Sequence, residues 1–157
     1  MLGRTYEHEN CSAARALEVA GERWSLLILR DAIFRGLTRF SEFERSLGLA
    51  TNVLASRLDL FVAEELMELV PASGHTGQLE YRLTAKGRDF EGVVVALAAW
   101  GDRWSAPDGP PIQFHHASCG GPVTVDLRCS GCDRVIQAGD VLADPGPGNR
   151  SGKEFRR

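Results

Sequence analysis

The sequence predicts a mainly helical chain with a small β-wing, followed by a separate small β module near the C-terminus. Three observations lead there. Residues 39–84 (RFSEFERSLGLATNVLASRLDLFVAEELMELVPASGHTGQLEYRLT and its flank) read as two short helices across a tight turn, then two strand-prone runs around a glycine-bearing tip. Residues 84–104 carry apolar side chains at helical spacing, and residues 114–142 alternate strand-prone segments with paired cysteine and histidine residues. Helix, turn, helix and hairpin in that order form a winged helix-turn-helix, which presents one helix to a DNA groove.

The elements follow in chain order. Asn10 is expected to cap a first helix containing Cys11, Ala13, Ala14, Leu17 and Ala20, which Gly21 ends. A second helix is expected in ERWSLLILRDAIF, where Trp24, Leu27, Ile28 and Ala32 recur at helical spacing up to Gly36. Ser41 with Glu44 three residues on has the pattern of a capping box for a third helix, ending at Gly48. Thr51 is expected to cap the fourth. There, Leu54, Leu58, Phe61 and Glu65 share one face and Asn52, Ala55, Ser56 and Asp59 the opposite one. The apolar row packs inward, which leaves a face of small and polar side chains for a groove.

Met67–Val70 and Leu79–Leu83 are expected strands, with a proline and two glycines between them. Thr84 is expected to cap one last helix with Phe90, Val94, Leu97, Gly101 and Trp104 in heptad-like register, widened by Val93 and Trp100. So apolar a helix suits packing against a second copy of itself. Residues 1–104 thus form the DNA-binding and dimerisation domain, 105–113 a linker, 114–142 the small module and 143–157 a polar tail expected to be disordered. The residues show no internal repeat.

Composition sets limits. A chain of 157 residues, 43% apolar and 25% charged, fits one domain with a small appendage. The apolar stretch from Val93 to Trp100 is far short of the roughly 20 residues that cross a bilayer. The N-terminal residues MLGRTYEHEN are acidic where a signal peptide is apolar, so a cytoplasmic protein is expected. The net charge of −3 weighs mildly against DNA. Its distribution does not: residues 23–57 hold six arginines (Arg23, Arg30, Arg35, Arg39, Arg45, Arg57) against Asp31, Glu42 and Glu44. A local excess of that kind is the footprint of a phosphate-contacting face.

The motifs carry resemblance to a known family. Cys11, the run Arg23-Trp24-Ser25 with Leu27-Ile28-Leu29, Arg39-Phe40-Ser41-Glu42-Phe43, Leu54-Ala55-Ser56-Arg57-Leu58, Glu80-Tyr81-Arg82-Leu83-Thr84 with Gly87, and Trp100-Gly101 stand in order at the expected separations. Over residues 8–104 the chain resembles the HxlR family of winged-helix transcriptional regulators, related to the MarR group. The resemblance implies a homodimer built from the first and last helices that binds a pseudo-palindromic double-stranded operator. It also implies a response to aldehydes, quinones, oxidants or other small molecules, in some members through the N-terminal cysteine. Two departures bear on the operator: Asn52 stands where many members have lysine, and Phe61-Val62-Ala63-Glu64-Glu65 replaces a stretch that more usually holds a leucine and a glycine.

The candidate DNA contacts are Arg39, Ser41, Thr51, Asn52, Ala55, Ser56, Arg57, His75 and Gln78. Asn52 has the amide geometry for a bidentate contact to adenine, against the alternative of an exposed polar helix residue. Thr51 and Ser56 neighbour it as phosphate or base contacts. For Arg57 an internal ion pair competes with a phosphate, and for Arg39 a solvated charge does. His75 and Gln78 at the wing tip can enter a minor groove, although loop tips are polar in any case. Trp24, Phe90, Trp100 and Trp104 are either an effector pocket or ordinary core and interface aromatics. Cys11 opens a helix, where the dipole favours a thiolate and hence redox or electrophile sensing; the alternative is a small buried hydrophobe.

In the C-terminal module, His116 and Cys119 form one pair and Cys129 and Cys132 another, each with two residues between its members. Together they offer four tetrahedral N/S donors for a structural zinc ion, with His115 as a substitute for His116. A Cys129–Cys132 thiol–disulfide pair, or a ribbon that has lost its metal, is the alternative. About 30 residues bury too little apolar area to fold unaided, which favours the metal. No nucleophile pairs with a base, and His8, His75, His115 and His116 lie at a terminus, a loop tip and the ligand pairs, so an enzyme is not expected. The rival of another class is an adaptor that holds a partner protein through the winged helix and the ribbon.

Overall fold

The computed structural model describes residues 6, 9–72 and 77–150. Tyr6 with Cys11–Val94 forms one compact unit, and residues 9–10 with 95–150 form another. The first unit holds helices α1 (Ser12–Ala20), α2 (Ser25–Arg35), α3 (Phe40–Leu47) and α4 (Thr51–Ala63), strands β1 (Met67–Pro71) and β2 (Leu79–Leu83), and the short helix α5 (Ala85–Asp89). Helix α6 (Glu91–Ser105) runs on from its end.

The core is built by one face of each helix, as the periodicity requires. Ile28, Leu29 and Ala32 come from α2, Phe43 from α3, Leu54, Leu58 and Phe61 from α4, with Leu49, Leu66 and Met67 closing the turns. The two strands pair antiparallel, Met67 opposite Leu83 and Leu69 opposite Tyr81. The α3–α4 connection is only three residues long. Gly48 makes this possible by taking φ +62, a left-handed conformation in which any Cβ is strained.

Several boundaries differ from the sequence reading. Cys11, not Asn10, is the residue preceding α1. Helix α3 starts at Phe40, one residue before Ser41, and the reciprocating acid is Glu42: its Oε2 accepts the backbone N–H of Thr38 and of Arg39, each at 3.0 Å. Glu44 is therefore free to accept the Thr51 hydroxyl at 2.7 Å. Thr51 is the first residue of α4 and Ala50 its cap, so that hydroxyl ties α4 to α3 instead of closing its own helix. Glu65 lies beyond α4 with φ +58 and is exposed, off the apolar face assigned to it. Thr84 does cap, its Oγ1 accepting the Gly87 N–H at 3.1 Å, but the helix it begins stops at Asp89. The Phe90 N–H reaches back only three residues, to Gly87 at 3.3 Å, and that tight turn separates α5 from α6.

In the second unit, residues 106–150 contain no helix or strand, and two isolated antiparallel bridges, His115 with Pro122 and Arg128 with Val135, organise the module. Residues 143–150 form no regular element; within them the Arg150 N–H donates to Asn10 Oδ1 at 2.6 Å. Residues 151–157 of the tail lie outside the described residues.

Candidate functional site

Helix α4 buries Leu54, Leu58 and Phe61 completely and turns Thr51, Asn52, Ser56 and Asp59 outward, with Ala55 half-buried between them. Its neighbour α3 is joined to α2 by a polar lock. Asp31 is fully buried, an expensive place for a carboxylate unless its oxygens are filled. They are: Oδ1 accepts Arg30 Nε at 2.9 Å and its Nη2 at 2.7 Å, and Oδ2 accepts the Ser46 hydroxyl and Arg35 Nη1 at 3.3 Å. Arg35 also donates to Ser46, so one carboxylate joins α2 to the last turn of α3. Two of the basic-face arginines are thus structural on one side. Sequence reasoning passed over Asp31, although an acid flanked at i−1 and i+4 by arginines in an apolar helix was a signal for it.

The wing is tied to the same frame. The Tyr81 N–H donates to Thr38 O at 2.8 Å, so the chain two residues before α3 is bonded to β2. Arg39 Nε lies 3.5 Å from Glu80 Oε1, and Arg82 Nη2 lies 3.4 Å from Oε2 of the same, largely buried carboxylate. Arg39 is therefore ion-paired while part of its side chain stays open to solvent: it stands at the base of the wing beside Arg82, which the sequence reading did not name as a contact. The glutamate–arginine alternation in Glu80-Tyr81-Arg82 was the available sign, since residues two apart on a strand share a face. The carboxyl of Glu42 is held below the ordinary glutamate range, first by the Thr38 N–H and then by that of Arg39, and less by the nearby Arg39 and Arg45 charges.

Of the other expected contacts, Ser41 and Gln78 are exposed, and Arg57 donates to Ser56 Oγ at 3.4 Å. His75 lies outside the described residues. Trp24 and Phe90 are half-buried and pack against the core of the first unit, whereas Trp100 and Trp104 are exposed on α6. Cys11 is exposed.

The histidine and cysteine residues of the module come together as pairs. His116 Nδ1 is 3.2 Å from Cys119 Sγ. The Cys129 thiol is pulled below its ordinary range by the backbone N–H of Cys132, then that of Gly131, then the Cys132 thiol. His115 is occupied elsewhere, its Nδ1 3.2 Å from Gly120 O. Among the described residues, no group of three or more His, Cys, Asp or Glu side chains is arranged to hold a metal ion. No helix among them is long and apolar enough to cross a membrane.

Comparison with known proteins agrees with the geometry. The family model described as HxlR-like helix-turn-helix matches residues 19–108. The HTH-type transcriptional regulator Rv3095 of Mycobacterium tuberculosis, itself uncharacterized, is 43% identical over 145 residues, covering 92% of this chain and 91% of its own. The crystal structure of PA1607, a proposed transcription factor, superposes with a TM-score of 0.77 at 41% identity over 87% of this chain and 95% of that one. YodB of Bacillus subtilis in its reduced form superposes with a TM-score of 0.53 at 27% identity, over 62% of this chain and 96% of that one, and the same protein has been solved with a quinone bound. The first two matches reach well past the family segment into the C-terminal module. The family and these relatives are transcriptional regulators and not enzymes. By the matched residues, the helix-turn-helix and its wing, the chain belongs to the HxlR-like helix-turn-helix family.

Proposed function

We propose that the protein is a homodimeric, sequence-specific DNA-binding repressor that answers a small-molecule or redox signal. The observation that carries this reading is the outward face of α4. Thr51, Asn52 and Ser56 stand exposed at its N-terminal half, on a helix whose other side is locked into the core. A helix so placed enters the major groove with its first turns against the base edges. Asn52 supplies the amide for an adenine, and the arginines at the base of the wing supply phosphate contacts.

The dimer follows from α6, where Val93, Leu97, Trp100 and Trp104 are all exposed along one helix. Single exposed apolar residues are ordinary, but a stripe of four supports the reading of an interface. The signal enters through the exposed Cys11 or between the protomers; the quinone bound by YodB names an electrophile as the first chemistry to try.

The test is a fluorescence anisotropy titration with operator DNA taken from upstream of the protein's own gene. Asn52→Ala with Ser56→Ala is expected to weaken operator binding about tenfold or more, since each good base contact discriminates by roughly 1–3 kcal/mol. Nonspecific binding should be nearly untouched, and affinity for the operator should fall steeply with salt. Unchanged operator affinity in the double variant would overturn the assignment of α4. Adding a quinone to wild type and to Cys11→Ser in parallel separates a cysteine signal from a pocket signal.

A further inference from the structure

The module after α6 contains a repeat that the residues do not announce. Around His116, the His116 N–H donates to Gly121 O at 2.8 Å, the Gly120 N–H to His116 O at 2.8 Å and the Val123 N–H to Phe114 O at 2.9 Å. Thirteen residues on, the same three bonds recur around Cys129: its N–H to Arg134 O at 3.0 Å, the Asp133 N–H to Cys129 O at 2.8 Å and the Ile136 N–H to Leu127 O at 2.8 Å. The two isolated bridges, His115 with Pro122 and Arg128 with Val135, obey the same offset. So do the turn residues: Gly120 has φ +69 and Asp133 has φ +57. Aspartate is among the few non-glycine residues that take this conformation readily, so both residues suit the same turn. His116 and Cys119 therefore occupy the same two positions of one knuckle as Cys129 and Cys132 do of the other.

The module has no buried core of its own. No residue from 114 to 142 is buried, and only Phe114, Gly121, Cys129 and Ile136 are even half-buried. Val123, Val125, Leu127, Val135, Val141 and Leu142 all stand exposed. A segment of this size without a core is stabilised by a cross-link, of which disulfides and structural metals are the usual kinds. A disulfide between Cys129 and Cys132 would close only one knuckle on itself and leave the other unattached.

We infer that the two equivalent knuckles, which the described residues bring together only as pairs, are drawn into one structural zinc site with His116, Cys119, Cys129 and Cys132 as the four ligands. Two thiolate-bearing knuckles with one imidazole supply the N/S set that tetrahedral zinc takes, and four protein ligands leave no position open for chemistry. Register also chooses between the two histidines. His116, not His115, matches Cys129, and His115 matches Arg128 as the first residue of each isolated bridge. The zinc joins two hairpins that share no core.

The test uses the full-length protein, purified under reducing conditions without chelator and assayed by mass spectrometry for bound metal. One zinc per chain is expected in wild type and in His115→Ala. Cys119→Ser and Cys129→Ser should lose it, and His116→Ala should lose or greatly weaken it. A second readout does not depend on the variants: with zinc bound, a thiol reagent should label Cys11 rapidly and the other three cysteines only after chelation. Cobalt(II) added to the metal-free protein should develop thiolate-to-metal absorption. A wild type that takes up no zinc even when it is added would overturn the site. So would full retention in Cys119→Ser, or equal reactivity of all four thiols. Operator binding by Cys129→Ser reports separately on the DNA-binding unit, so loss of the metal and failure of the functional reading are distinguishable.

Discussion

Glu65 occupies a backbone conformation that suits glycine better than any residue with a side chain. It connects α4 to β1 with φ +58, its side chain is exposed, and its carbonyl accepts the Thr84 hydroxyl at 2.6 Å. Within the stretch 61–65, where the family resemblance leads one to expect a glycine, the left-handed strain is carried by a glutamate. A left-handed residue costs roughly 1–2 kcal/mol, part of which glycine returns through its greater freedom in the unfolded chain. Glu65→Gly is therefore expected to stabilise the protein by about 0.5–1 kcal/mol, read as a rise in the midpoint of urea denaturation with an unchanged slope. Residues of this kind are poorly legible in advance. Periodicity placed Glu65 on the apolar face because it assumed that the helix continued; the helix had already ended. Asp31 was hidden for a related reason, because its value depends on Ser46, fifteen residues away.

Among the elements, α3 shows how a correct helix can rest on the wrong cap. Ser41 and Glu44 have the right types at the right spacing, yet Glu42 does the capping, because the chain before Phe40 is pinned by the Tyr81 N–H to Thr38 O bond and presents its N–H groups there. This makes the start of α3 sensitive to acid. A carboxyl whose folded pKa is depressed adds stability above its unfolded value, and that stability is lost as pH falls through the folded pKa. As pH falls from the ordinary glutamate value of 4.5 through the lower folded pKa, wild type should thus lose more stability than Glu42→Gln, and the two should converge below that range. Chemical denaturation of both across that range checks it; parallel curves would show that Glu42 contributes no such dependence. The wing strands and α4 were legible almost to the residue, since alternation and the 3.6-residue period are carried by buried side chains. The break between α5 and α6 was not, because the apolar stripe runs through it unbroken.

For the whole molecule, the fold class was readable because each motif sits in a different element and their order admits one architecture. The second unit was readable only as ligand spacing. Its internal repeat lies in backbone bonds and φ angles, while the side chains at equivalent positions, such as Gly120 and Asp133, have diverged. The proposed dimer belongs to this scale. Trp100 is 63% exposed on α6, more than a single chain has reason to leave in water. Trp100→Asp is expected to shift the protein from dimer to monomer in sedimentation velocity. Operator affinity should fall with it, because two half-sites must be held by two recognition helices at once. A variant that stays dimeric would place the interface elsewhere.

The division of labour around α4 has a consequence for how such a protein diversifies. Leu54, Leu58 and Phe61 hold the helix from within, and the Asp31 lock sets its neighbours, so Asn52 and Ser56 contribute nothing to the core. Substitutions at those two positions are nearly free of folding cost. With the base contacts proposed for Asn52 and Ser56, one copy of a duplicated gene would acquire a new target by a few changes there while its scaffold stays intact, and a designer can draw a library on the same surface.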